Sequence, residues 1–179
     1  MNAILSRKPQ SQAGRRQPGF TLLELCVVIV IFSILVAYLL SKVLDNLEIA
    51  EKSAMETQRM MMRAGMDLQI AGMITAGRER DLPRLRGSNP VEWLRELPAN
   101  YLGAFASEPQ QASEDGGWYF DTTAREIVYT PKRHSHLKPG QDGRYRVRFH
   151  VVASSGSDRN GSLTSWPVLM PVEPYAWFK

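Results

Sequence analysis

The sequence predicts an α+β fold in which one long N-terminal helix precedes a smaller domain containing β-strands. Three observations carry this prediction. Residues 22–40 form an apolar run, and residues 42–77 contain no proline and repeat apolar or small residues at helical spacing. Residues 144–152 instead alternate strictly between basic residues and aromatic or β-branched residues, as a half-buried strand does.

The apolar run at 22–40 is long enough to cross about 30 Å of hydrocarbon, and Glu24 and Ser33 are its only clearly polar members. The segment before it contains four basic residues and no acidic one. The positive-inside rule therefore places the N-terminus in the cytoplasm and the remainder outside. The alternative is an ordinary secretory signal peptide, which has a shorter apolar region followed by small residues. Residues 39–42 fit such a cleavage site poorly. The sequence therefore predicts a single membrane-spanning helix.

Glu24 is a full charge near the start of this run, and a charge in a membrane helix costs about 2.5–3.5 kcal/mol on insertion scales. Two explanations are open. The carboxylate either finds a positive partner, or it reaches back to the lipid headgroups from its place near the end of the helix. Cys26, the single cysteine, lies in the same run and has no partner for an intramolecular disulfide, so we interpret it as an apolar packing residue.

The residues Gly19-Phe20-Thr21-Leu22-Leu23-Glu24, with the apolar helix behind them, resemble the class III signal of type IV prepilins and type II secretion pseudopilins. The resemblance covers about residues 14–45. It implies cleavage between Gly19 and Phe20 by prepilin peptidase and N-methylation of Phe20. It also implies that Glu24 of one subunit pairs with the Phe20 amine of a neighbour during assembly.

This resemblance further implies a pilin-like architecture, with the long helix packed on a small antiparallel sheet of about four strands. The chain would then divide into a cleaved leader (1–19), a transmembrane or filament-core helix (20–44), its amphipathic continuation (45–77) and a periplasmic α+β domain (78–179). The expected function is that of a minor pilin or pseudopilin, which primes, joins or caps a fibre. Its expected partners are other pilins or pseudopilins and the assembly platform of the bacterial inner membrane. A DNA- or surface-binding tip pilin and a single-pass membrane protein outside any fibre are the alternatives.

The charge balance depends on the leader. The chain has 22 lysines and arginines against 18 acids, a net charge of +4. Four of the bases and no acid lie in residues 1–19, so removing them leaves 18 bases against 18 acids. A basic chain often binds nucleic acid. Here the excess positive charge lies in the leader, so the remaining chain gives little reason to expect nucleic-acid binding.

The helix beyond the membrane carries two stripes. The first has apolar or small residues at positions 47, 50, 54, 57, 61, 64, 68 and 71, with threonine at 57. The second consists of Met55, Met62, Met66 and Met73, and charged residues that include Glu48 are assigned to other faces. We expect residues 20–50 to contact other subunits, and both stripes after about residue 55 to be buried by the chain's own C-terminal domain.

The C-terminal domain contains several shorter signals. Residues 90–97 predict a short helix capped by Asn89, and residues 118–120 and 126–130 predict a hairpin. Residues 108–117 and 153–162 are predicted loops. The tail, with prolines at 167, 171 and 174, predicts an irregular edge strand.

Few residues suggest site chemistry. His134 and His136 could offer two metal ligands, and residues 158–161 resemble part of a calcium loop, but neither forms a full ligand set. No nucleophile–base set, phosphate loop or spaced carboxylate pair is visible, so we predict no enzyme, metal or cofactor. Arg144, Arg146 and Arg148 could contact DNA phosphates. The favoured alternative is a solvent-facing side of the sheet, balanced by Asp121, Glu126 or Glu173.

Overall fold

The computed structural model describes Gly19, residues 21–157 and residues 163–178. These fall into two units, one ending at Val43 and one beginning at Leu44. The elements, in chain order, are α1 (Leu22–Thr75), 3₁₀ helices at Glu79–Leu85 and Pro90–Trp93, β1 (Tyr101–Phe105), α2 (Gln110–Asp115), β2 (Gly117–Asp121), β3 (Glu126–Thr130), β4 (Val147–Ser157) and β5 (Leu163–Pro171). The predicted α+β class, with a long N-terminal helix and a mostly antiparallel sheet, is confirmed.

Local chemistry defines both ends of α1. At its start the Thr21 hydroxyl accepts a hydrogen bond from the Glu24 backbone N–H at 3.2 Å, which is one half of a capping box. At its end Gly77 adopts φ 67°, a left-handed conformation that glycine tolerates best. The Arg78 N–H then reaches the Met73 carbonyl at 2.8 Å, as in a Schellman motif. The continuous helix predicted to about residue 77 is therefore confirmed.

The sheet has five strands in the order β1-β2-β3-β4-β5, where about four were expected. The β1–β2 pair is parallel and the other three pairs are antiparallel. The β2–β3 hairpin was predicted correctly. Strand β1 was missed because its sequence contains Gly103, a weak strand former, and its register with β2 shifts between Tyr101 and Ala104.

Four further predictions need correction. The strand expected at 144–152 is Val147–Ser157, because Asp142 accepts from the Arg144 N–H and shapes a turn just before it. Residues 153–157, expected in a loop, pair with β5. Helix α2 occupies part of the loop expected at 108–117, and the helix expected at 90–97 is only one 3₁₀ turn with the predicted Asn89 cap.

The core of the second unit lies between α1 and one face of the sheet. Its α1 side is the methionine stripe, in which Met55, Met62 and Met66 are buried and Met73 is half-buried. They belong to one cluster with sheet and tail residues that include Trp118, Phe149 and Trp177. In a smaller cluster, Ala112 of α2 packs with Tyr119 of β2 and Val128 of β3.

The other stripe of α1 is not covered, contrary to expectation. Met61 is 57% exposed and Leu68 is 75% exposed, and the small residues at positions 50, 54, 57, 64 and 71 are exposed as well. A single sheet face can cover only one side of a helix. The long, flexible methionine side chains fill the space above the sheet, which leaves the small-residue side free.

Candidate functional site

The predicted processing site lies at the edge of the described residues. Gly19 is exposed, whereas Phe20 lies outside the described residues, as do residues 1–18 of the predicted leader. Cleavage after Gly19 and methylation of Phe20 therefore stay predictions. Glu24 lies in the first turn of α1, where the partial positive charge of the helix end favours a carboxylate. This is a local reason for its tolerance that the sequence argument did not include.

The apolar half of α1 is uncovered. The helix is long and apolar enough to cross a membrane, and none of the qualifying stretch is buried by other parts of the described chain. Leu22 is 80% exposed and Phe32 is 66% exposed. An exposed apolar surface of this extent marks contact with lipid or with other protein chains. The helix is continuous here, and the Ser33 and Ser41 hydroxyls donate to the carbonyls of Ile29 and Ala37.

A buried carboxylate connects α1 to two distant segments in the second unit. Glu48 is 2% exposed, and its Oε1 accepts hydrogen bonds from the His136 N–H at 2.9 Å and from Trp177 Nε1 at 3.0 Å. Its Oε2 lies 3.0 Å from His136 Nδ1. Burial by itself raises the pKa of Glu48, but the hydrogen bonds from His136 and Trp177 outweigh it and leave this pKa below its ordinary value.

Glu48 was predicted on a charged face, and the structure corrects this. It precedes Met55 by seven residues, and Met55 precedes Met62 by seven, so all three lie on the buried side of α1. A single charge on an otherwise apolar heptad position was the signal that could have identified it.

Three further side chains of α1 hold the same segments. Glu51 accepts hydrogen bonds from the backbone N–H groups of Lys132 at 2.6 Å and Arg133 at 3.2 Å. Lys52 donates to the Trp177 carbonyl at 2.7 Å. Glu56 accepts from the Tyr175 hydroxyl at 3.1 Å. The loop after β3 and the C-terminal tail are thus attached to α1 by charge-assisted hydrogen bonds.

The arginines predicted as a possible DNA surface each have a carboxylate partner. Arg144 lies 2.9 Å from Glu108, and Arg148 lies 3.0 Å from Glu173 and 3.6 Å from Glu126. Arg146 pairs with Asp142. Two of the three expected acids are therefore present, while Asp121 instead accepts from the N–H groups of Thr123 and Ala124.

These pairs reduce the charge that the arginines offer to a ligand. The Arg146 and Arg148 side chains are 15% and 21% exposed, and that of Arg144 is 59% exposed. DNA binding by this surface stays a prediction.

The histidines do not come together as ligands. His136 is bound to Glu48, whereas His134 stacks on Tyr145 with ring centroids 4.3 Å apart. Among the described residues no group of three or more histidine, cysteine, aspartate or glutamate side chains could hold a metal ion. The part of the chain that resembles a calcium loop, residues 158–161, lies outside the described residues.

Comparison with known proteins identifies the N-terminal segment. The family model described as the prokaryotic N-terminal methylation motif matches residues 14–40. No curated protein and no solved structure gives a significant match to the chain. The matched residues include Gly19, Phe20 and Glu24 and extend through the uncovered part of α1. The chain therefore carries the N-terminal methylation motif, the signal of type IV pilin and pseudopilin precursors.

Proposed function

We propose that this chain is a minor pilin or pseudopilin, a structural subunit that primes, joins or caps a type IV pilus-like fibre. In this proposal residues 1–19 are a leader removed by prepilin peptidase, and residues 20–44 anchor the subunit in the inner membrane before they enter the fibre. Residues 45–77 continue the helix, and residues 78–179 form a periplasmic domain. The proposed role is structural and involves no enzymatic reaction.

The observation that carries the proposal is the direct connection of the methylation motif to an apolar helix segment that the described chain leaves uncovered. Lipid can cover this segment before assembly, and helices of neighbouring subunits can cover it afterwards. The exposed stripe of α1 in the second unit, with Met61 and Leu68, offers a further surface to neighbours.

Glu24 gains a specific role in this scheme. Cleavage after Gly19 creates an α-amino group at Phe20, which is positive when protonated. Two unit charges about 4 Å apart attract by about 4 kcal/mol at the effective dielectric constant typical of a protein surface, and by more in a drier fibre core. That attraction is of the size needed to offset a carboxylate in an apolar environment.

The first experiment is mass spectrometry of the protein recovered from cells that contain prepilin peptidase. The proposal expects a chain that begins at N-methylated Phe20. A chain that retains Met1, or one cut after Ala37 as an ordinary signal peptide would be, contradicts it. Replacing Gly19 by a bulky residue such as valine is expected to leave the uncleaved precursor in the membrane.

A second experiment separates membrane insertion from assembly. The Glu24→Val variant should insert and be cleaved normally, yet be missing from sheared fibres or from fibre-sized crosslinked species. Cys26→Val is the matched control, because it changes a residue two positions away without removing a charge, and it should be incorporated like the wild type. Normal incorporation of Glu24→Val would refute the pairing mechanism. A correctly cleaved wild-type chain that never appears in fibres would favour a membrane protein outside the fibre.

A further inference from the structure

A cationic cleft opens beside the β2–β3 turn, where β3 begins and β4 continues past it. It has a volume of about 720 Å³. Three separate segments form it: the chain around the end of the first 3₁₀ helix, the β2–β3 turn and the middle of β4. Its lining residues are Pro83, Arg84, Arg86, Gly87, Ala124, Arg125, His150, Val151 and Val152.

The cleft is positively charged. Three of its lining residues are arginines and none is acidic. Arg84 pairs with Asp81 outside the cleft at 3.1 Å, but the guanidinium groups of Arg86 and Arg125 make no hydrogen bond or ion pair with any residue that the structure describes. The arginines at 144, 146 and 148 on the same domain each have a carboxylate partner. Guanidinium groups gathered in a concave site focus a positive potential and attract an anion.

Arg125 is held in an unusual backbone conformation. Its φ is 56°, in the left-handed region that glycine and asparagine adopt more readily. Gly87, with φ 67°, lies directly against it, and a Cβ atom built there would lie 3.0 Å from Arg125 Cδ. Glycine at 87 therefore makes room for the arginine stem. The turn between β2 and β3 thus holds the Arg125 stem against Gly87, on the wall of the cleft.

An apolar pocket adjoins the cleft. It is lined by Leu82, Pro83, Arg86, Ala153 and Pro167, has a volume of about 210 Å³, and shares Pro83 and Arg86 with the cleft. A ligand that reaches both pockets needs negative groups on one part and an apolar group on the next. A carboxylate matches the flat guanidinium fork, and an adjoining aliphatic side chain matches the apolar pocket.

We propose that this paired cleft binds an acidic segment of a partner protein, in which carboxylate side chains are followed by aliphatic ones. The carboxylates contact Arg86 and Arg125, and the aliphatic side chain occupies the pocket beside Leu82. A free phosphate would use only the cationic part. The inference goes beyond the proposed function, since it requires a folded second unit and does not require incorporation in a fibre.

The test measures fluorescence anisotropy with the full chain in neutral detergent and a fluorescein-labelled peptide, Glu-Glu-Glu-Gly-Leu-Leu. Two matched peptides are the controls. Gln-Gln-Gln-Gly-Leu-Leu lacks the carboxylates, and Glu-Glu-Glu-Gly-Ser-Ser lacks the aliphatic side chains. We expect the first peptide to bind more tightly than both others, and its affinity to fall as salt is added.

The variants are chosen to keep the fold. Arg86→Gln and Arg125→Asn should each weaken peptide binding about fivefold, the upper range for an exposed ion pair. Asparagine suits the left-handed backbone at 125, so this variant should keep the thermal midpoint of the wild type. Arg95→Gln, an exposed arginine away from the cleft, should bind normally.

Four results overturn the proposal. The first is the absence of binding by the wild-type chain, and the second is equal binding by Arg86→Gln, Arg125→Asn and Arg95→Gln. The third is a Glu/Ser peptide that binds as well as the Glu/Leu peptide. The fourth is displacement of the peptide by pyrophosphate or phosphatidylglycerol vesicles at equal charge concentration. That last pattern would identify a general phosphate or anion site in place of a protein-binding one.

Discussion

Replacing Glu48 by alanine tests how the C-terminal tail and the loop after β3 are held on α1. The substitution removes the carboxylate that binds the His136 backbone, the His136 ring and Trp177 Nε1. Trp177 is 2% exposed, so its indole N–H cannot turn to water without opening the core. The backbone N–H of His136 loses its acceptor as well.

The expected loss follows from these contacts. The buried Trp177 N–H left without a partner costs about 1–3 kcal/mol, and the loss of the two bonds from His136, which is an exposed residue, adds about 0.5–1.5 kcal/mol each. Removing the buried charge itself returns part of this, because its desolvation cost disappears. We expect Glu48→Ala to lower the free energy of unfolding by about 3–4 kcal/mol, a large share of the 5–15 kcal/mol typical of a domain. Glu48→Gln keeps one oxygen acceptor and should cost about half as much.

The assay is equilibrium urea unfolding of the full chain in mild detergent, followed by near-ultraviolet circular dichroism of the tryptophans. Glu96→Ala, which truncates an exposed glutamate, is the control and should change stability by less than about 0.5 kcal/mol. A double-mutant cycle with Trp177→Phe should give a coupling of at least about 1 kcal/mol. A loss below about 1 kcal/mol for Glu48→Ala, or no coupling to Trp177, would show that this carboxylate does not fix the tail.

Three further outcomes are expected. The pKa of Glu48 lies below its ordinary value of 4.5, so the ionised carboxylate stabilises the fold at pH values above 4.5. This stabilisation is lost as the pH falls through the lowered pKa, and acid titration should therefore lower the free energy of unfolding of the wild type more than that of Glu48→Gln. Met62→Ala should cost about 2–4 kcal/mol in urea unfolding, whereas the adjacent Met61→Ala, at a 57% exposed position, should cost under about 0.5 kcal/mol, and equal effects would contradict the assigned helix face. Gly77→Ala should lower the thermal midpoint by an amount equivalent to about 1 kcal/mol, because alanine is strained at φ 67°, and an unchanged midpoint would exclude the left-handed cap.

Elements with strong local patterns were predictable. Helix α1 repeats its pattern over many turns, and the β2–β3 hairpin consists of two β-prone runs joined by a short turn. Strand β1 was not predictable in this way. It is short, contains Gly103 and pairs in parallel with β2, so its place depends on a partner beyond helix α2.

The residues of the sites were likewise predictable only where a local sequence pattern places them. The alternation of Arg144, Arg146 and Arg148 placed them on the polar side of the chain, but their carboxylate partners come from several segments. The partners of Glu48 are 88 and 129 residues away in the sequence. A local sequence pattern cannot predict contacts between residues so far apart in the sequence. The cleft at Arg86 and Arg125 was missed for the same reason, since its lining residues come from three separate segments.

The methionine and small-residue stripes, the apolar segment at 22–40 and the methylation motif at 14–40 can be read from the residue order alone, because each depends only on local motif and helical periodicity. Which stripe of α1 is covered cannot be read in this way, since it depends on the shape of the sheet that packs on the helix. The buried position of Glu48 likewise follows from the packing of distant segments on α1. Burial is a property of what surrounds a residue, and its surroundings come from distant parts of the chain.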